Sequence, residues 1–454
     1  MKDGIMKLQN IRFGALTALA CLLTAGCTET RFEEASGEGS VRGINAIVEL
    51  NDVTFRIEEF GLGVVPFKGS SATASYDNLN YTFNFDLPVP GEVTPRRLAS
   101  RNIDVVDQQD YTFVLTGDVT NQQVLLWERA IRDWSGSETV FDINVAHLNT
   151  TLGAVDVYLV PDGQVVDPTT LAGTVSFGER LDAVEREAGD YQVIVTTENQ
   201  PGDILFQSIA LSVLPAQSYT VAVFDADPSI TAPASARLFD QGGTSIEVPD
   251  ERFSGTLQVV HAVQGVGNID VAIDGDFTNL AITDLAFATV SADVDAPSDV
   301  TPFAYVPTGN TMALFEEDRT VPLGARDMAI LLGPSDGLFT LTVASLRRGF
   351  ATAAQIRVIN TVTNFELVDI YIYEPGTDIN EVGPTIFGVP FGFTQLSTSE
   401  PGDFEITITA VTEKTPLKTP EIITLSANDI IEFIVLDDVD PNAVQTLSFS
   451  NINP

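Results

Sequence analysis

The chain has 454 residues, enough for three or four domains of ordinary size. Its 44% apolar side chains suffice for well-filled cores, which excludes a globally disordered chain. Sixty-three acidic against 23 basic residues give a formal net charge of −40, a balance that repels phosphate backbones and excludes nucleic acid as a partner.

In chain order, Lys2, Lys7 and Arg12 precede the apolar segment Phe13 to Leu23, which is too short to span a bilayer permanently and reads as an export signal. It runs into Leu23-Thr24-Ala25-Gly26-Cys27, which resembles the lipobox of bacterial lipoproteins, although Thr24 stands where that pattern favours Leu. The resemblance implies cleavage before Cys27 and lipidation of Cys27, so that the acyl group is the one contact with the membrane. By resemblance to the sorting rules of enterobacterial lipoproteins, Thr28 in place of an Asp after that Cys favours the outer membrane of the cell envelope. Cleavage removes Cys21 and leaves Cys27 as the sole thiol, so an exported chain without a disulfide has to stand on its packing. Losing Lys2, Lys7, Arg12 and Asp3 takes the net charge from −40 to −42.

Residues 27–40 are small, acidic and rich in Gly and Ser, the composition of a flexible tether. Beyond them, short runs of Val, Ile, Thr, Tyr and Phe alternate with Gly, Pro, Asn and Asp clusters, which predicts an all-β chain. Helical signals are nearly absent, the best being Leu125 to Asp133 and Glu179 to Ala188.

One pattern recurs four times, at intervals of about a hundred residues. An apolar run ends in His147, and nine positions on Asp156 opens a second run. The same step separates His261 from Asp270, Asn360 from Asp369 and Asn45 from Thr54. In the second copy, strands are predicted at 143–146, 155–160, 191–197, 204–213 and 218–224, with 236–239 closing the unit. Counterparts of the 191–197 strand are placed at 81–87, 308–315 and 402–411. Six or seven short strands with one apolar and one polar face per hundred residues predict a β-sandwich. The expectation is a tandem array of four immunoglobulin-like β-sandwich repeats, 41–135, 136–245, 246–350 and 351–454, following a cleaved signal at 1–26 and the tether at 27–40. The Cys, Trp, Cys hallmark of true immunoglobulin domains is missing.

The runs VVHAV and IDVAIDG, with VAHLN and VDVYLVPDG, and RVINT and VDIYIYEPG, resemble the bacterial envelope repeat called domain of unknown function 4397. The resemblance covers nearly all of the mature chain, though the Ser-Pro that follows the His in that family is absent and Thr54 replaces Asp in the first copy. It implies a surface or periplasmic β-repeat protein and no chemistry.

His147 and His261 are the only histidines and would attract a search for a catalytic base. Yet Asn45 and Asn360 occupy the same column, and His and Asn share hydrogen bonding but no acid–base chemistry. The column is therefore expected to tie the end of the first strand to the following loop, with Asp156, Asp270 and Asp369 as partners of that tie or anchors of loop amides. Asp225 and Asp227, and Asp438 and Asp440, lie in acidic turns that could offer calcium several oxygens, but such residues are also ordinary turn formers and lack calcium-loop spacing. No cofactor and no catalytic residue is expected. Trp127, Trp134, Tyr371 and Tyr373 could form a sugar-stacking platform or pack as core. The reading is a non-enzymatic, lipid-anchored scaffold or interaction module whose partner is an envelope protein or glycan. The alternatives are a glycan hydrolase using a carboxylate pair and a calcium-stiffened adhesive stalk.

Overall fold

A computed structural model describes residues 37–228 and 232–450. The signal segment, the lipidation candidate Cys27 and most of the tether lie outside the described residues.

In the first repeat the strands are β1 (Glu38–Asn45), β2 (Val53–Ile57), β3 (Phe60–Val65), β4 (Ala74–Asp77), β5 (Asn80–Leu87), β6 (Arg96–Asp104), β7 (Gln109–Gly117) and β8 (Gln122–Ala130). They form two four-stranded sheets, in the orders β4-β1-β7-β8 and β3-β2-β5-β6. All neighbours are antiparallel except β1 and β7, which run parallel with Asn45 opposite Leu115. The other three repeats keep this plan. Counterparts of β1 are Val140–His147, Gly255–His261 and Ala354–Asn360, each pairing in parallel with Ser218–Phe224, Arg326–Leu332 and Ile430–Asp437 respectively. The chain is thus an all-β array of two-sheet sandwiches, and in each repeat the strand pairing is that of the two orders above rather than the ABED and CFG sheets of an immunoglobulin constant domain.

Every repeat encloses its own core between its sheets. In the first it is a phenylalanine cluster, with the Phe55 ring against those of Phe83, Phe85 and Phe113 and Phe83 also against Phe113. The second repeat centres on Val145, Val157, Val195 and Val221, the third on Val259, Val271, Tyr305 and Ala329, and the fourth on Val358, Ile370, Ile408 and Phe433.

Several boundaries differ from expectation. Residues 38–40, assigned to the tether, already pair with β4 and belong to β1, because Glu38, Gly39 and Ser40 face Asp77, Tyr76 and Ser75. The second repeat does not close at 239: Ser245–Val248 adds a further strand to its sheet, so the limit between repeats falls in 249–254 instead of at 245/246. The helical stretches are strands, Leu125 to Ala130 within β8 and Val184–Glu187 at a sheet edge, since their residues pair with β7 and with Val140–Ile143. In the third repeat the counterpart of β5 is Thr301–Pro307; residues 308–314 form the turn after it.

The expectation of one apolar and one polar face fails at β1, β7 and their counterparts, which are buried on both sides. The cause is pairing of repeats. Ile44, Ala46, Val114 and Trp127 on the outer face of the first repeat pack against Ala146, Leu148, Ala222, Phe224 and Phe239 of the second. Val260, Met328, Ile330 and Leu332 of the third meet Ile359, Ile434 and Leu436 of the fourth in the same way. The array is two back-to-back pairs. The connection between the third and fourth repeats lies on the first: Ala351 N–H donates to Glu49 O at 2.9 Å, and Arg348 sits between the Phe67 and Phe350 rings while donating to the Val48 and Leu50 carbonyls.

Candidate functional site

The histidine column stands at the C-terminal end of each first strand, where the chain leaves the sheet and leaves loop amides to be satisfied. His147 is 0% exposed; its Nδ1 accepts from Asn149 N–H at 3.1 Å and its Nε2 faces Gly153 O at 2.9 Å. His261 repeats this with Val263 N–H at 3.3 Å and Gly267 O at 2.8 Å. An Nδ1 that accepts leaves the proton on Nε2, so both rings are neutral. Burial lowers both pKa values, against the raising effect of the carbonyl contacts and, for His147, of Asp225. Asn45 and Asn360 perform the first half of the task, accepting from Ile47 and Val362 N–H at 3.1 and 3.0 Å. Their shorter side chains donate instead to Val65 O and Val389 O, the equivalent carbonyls on the third strands.

The aspartates nine residues on do not meet this column. Asp156 accepts from Thr174 Oγ1 and Asn199 N–H, Asp270 from Asp284 N–H, Thr308 Oγ1 and Gly309 N–H, and Asp369 from Gly388 and Thr412 N–H. Each carboxylate therefore ties the segments on both sides of the second strand, Asp156 through the Thr174 hydroxyl and the Asn199 amide, Asp270 and Asp369 through backbone amides on both sides. Burial pushes the Asp270 pKa up, but the Asp284 and Gly309 amides and the Thr308 hydroxyl outweigh it and hold it below the ordinary carboxylate value.

The acidic turns are also engaged. Asp225 accepts from Thr150 N–H and Oγ1 at 3.0 and 2.9 Å, and Asp437 from Thr363 N–H and Oγ1 at 2.9 Å each. Asp227 pairs with Lys68, while Asp438 and Asp440 receive the turn amides of Asp440 and Asn442. Among the described residues no group of three His, Cys, Asp or Glu side chains is placed to hold a metal ion. Trp127 donates to Gly178 O across the interface of repeats one and two, Tyr371 and Tyr373 are buried, and Trp134 is stacked by Arg132 at 3.7 Å.

Sequence reasoning missed two features. Asp225 and Asp437 clamp the loop after the first strand in repeats two and four, whereas repeats one and three place Gly117 and Gly333 there, at φ 105° and 108°. The second is a cleft of about 590 Å³ between repeats two and three, lined by Phe206, Val248, Phe253, Asp293, Arg326 and Arg347 among others. Its carboxylates are held by cations: Asp227 and Glu247 share Lys68 Nζ at 3.1 and 2.9 Å, and Asp293 pairs with Arg326 at 3.0 Å. Burial raises the pKa of Asp327 at the same cleft, opposed by Arg319 and Arg347. Residues so far apart in sequence carried no signal that they would converge.

No protein-family model matches the chain, and no curated protein matches it. Among solved structures it is similar to the Bacillus anthracis TIE protein, at 10% identity and a TM-score of 0.15 over 89% of this chain and 69% of that one. A putative cell adhesion protein from Bacteroides eggerthii DSM 20697 is similar at 9% identity and a TM-score of 0.13, over 69% of this chain and 95% of that one.

Proposed function

We propose that the chain is a non-enzymatic, lipid-anchored scaffold of the bacterial envelope, built of repeats of the kind called domain of unknown function 4397 and presenting a stiff acidic surface to an envelope protein or glycan. The observation that carries the reading is the use to which the repeat's ionisable residues are put. His147, His261, Asp156, Asp270 and Asp369 spend their hydrogen bonds on the chain's own backbone and hydroxyls, and the outer face of the sheet that holds each first strand is spent on the neighbouring repeat. A side chain so engaged supports rigidity. The surface that is left carries most of the charge behind the net −40, which favours a cationic or neutral partner over an anionic one.

The anchor rests on the Cys27 signature. Full-length protein expressed in a Gram-negative host and fed a palmitate analogue should carry the label and sediment with outer membranes. The Cys27→Ala variant should be unlabelled and soluble. Unlabelled wild-type protein in the periplasm or medium would overturn the anchored reading.

A further inference from the structure

The two back-to-back interfaces differ in charge. In the pair formed by repeats three and four, Arg357 Nε donates to Glu432 at 2.8 Å, its Nη1 reaches Ala344 O across the interface, and both partners are buried, so this ion pair adds no net charge to the interface. In the pair formed by repeats one and two, Arg42 holds the position equivalent to Arg357, three residues before the column residue, but Thr112 stands where Glu432 does. Arg42 is 1% exposed and bonds to Thr112 Oγ1 and, across the interface, to Asp240 O.

Two more guanidinium groups enter the same interface. Arg129 pairs with Asp110 at 2.9 Å and donates to Asn144 Oδ1; Arg180 donates to Glu128 O and covers the Trp127 ring. Against these three cations, of which Arg42 is buried and Arg129 and Arg180 are half-buried, stand one buried carboxylate, Asp110, and farther out the half-buried Asp240 beside Arg42 and the exposed Asp182 beside Arg180. Moreover, Arg129 Nη2 and Arg180 Nη1 are buried nitrogens without a hydrogen-bond partner, and Thr220 Oγ1, opposite Asn144, is a third such atom. Burial foremost, and then the nearby Arg129 charge, lower the Arg180 pKa to about 10 against the raising effect of Asp110. A water could satisfy the donors, but it would leave the charge excess uncompensated in a low-dielectric interface.

From the unpartnered guanidinium nitrogens of Arg129 and Arg180 and the buried positive excess, we infer that the interface of repeats one and two binds a small inorganic monoanion of chloride's size. The ion accepts from Arg129 Nη2 and Arg180 Nη1 and brings negative charge to an interface that lacks a carboxylate at the place Glu432 fills in the other pair. A protein of strongly negative net charge would thus hold one internal anion as a structural element.

The test uses the full chain in chloride or in gluconate at matched ionic strength, gluconate being too bulky to enter. Chloride should raise the melting temperature by roughly 2–4 °C over gluconate, since a ligand bound only by the folded state stabilises it. Arg180→Met should abolish that difference, and in gluconate the variant should melt no lower than wild type, because an uncompensated buried charge has gone. Arg180→Gln serves as a second variant should the methionine not fold. Crystals soaked in bromide should show an anomalous peak within hydrogen-bond distance of both nitrogens. Equal melting of the wild type in both anions, or water alone at that position, would overturn the assignment.

Discussion

At the residue scale, the column shows how two side chains of different chemistry can share one structural task. His261 and Asn360 each accept the amide two residues on, and each donates to a carbonyl, Gly267 O in the departing loop for His261 and Val389 O on the third strand for Asn360. His261→Asn should therefore cost within about 1 kcal/mol in urea unfolding, whereas His261→Leu strands both partners and should cost roughly 1–3 kcal/mol. The same column sets a pH dependence. Because burial lowers the folded pKa of both histidines, the unfolded chain binds more protons once the pH falls below about 6.5. Their contribution is complete above that value and is lost as acid drives the pH down through the folded pKa. Wild type should lose stability on acidification faster than the His147→Asn/His261→Asn double variant, and parallel pH profiles for the two would refute it. This much was legible: a position that alternates between His and Asn across internal repeats advertises hydrogen bonding. The partners of the aspartates were less so, because the Asn199, Gly309 and Thr412 amides that they hold lie 39 to 43 residues away.

At the element scale, the sequence displayed the strands of each sandwich through period-two alternation and turn residues, yet concealed what covers the first and penultimate strands. In VRGIN and INVAH the outward positions carry Ile44 and Ala146, and a short apolar run buried on both faces reads the same whether a helix, a sheet or another repeat lies over it. The faint helical signal at Leu125 to Asp133 has a related origin. Leu125 and Trp127 of β8 face the second repeat, so their apolar spacing records a docking surface and not a helical stripe. Ile44→Asp should consequently act on the contact between repeats. An unpaired charge buried there costs about 3–5 kcal/mol, so the first repeat should unfold or detach ahead of the others, giving two calorimetric transitions in place of a cooperative profile. The core substitution Val259→Ala should lower the stability of the third repeat without exposing the first.

At the scale of the whole molecule, the four repeats are folded together, with the connection before repeat four clamped on repeat one by Arg348 and Ala351. The charge balance and the repeat count could be read directly; the partition into two pairs could not, since neither contact order nor strand pattern distinguishes a neighbour in sequence from a neighbour in space. Residues 251–454 alone should fold as a monomer by gel filtration, while residues 351–454 alone would expose Ile359, Ile434 and Leu436 and should aggregate. Repeats one and three share glycines at 39 and 255, where an added Cβ would come within 2.7 Å of a backbone carbonyl, and at 117 and 333; repeats two and four carry Phe141, Ala354, Asp225 and Asp437 at those places. Odd and even members are thus different parts. An array of this kind counts in twos: it can lengthen by inserting an odd member together with its even mate, and a relative with three or five members would need either a cap over one bare face or a second molecule to complete the sum.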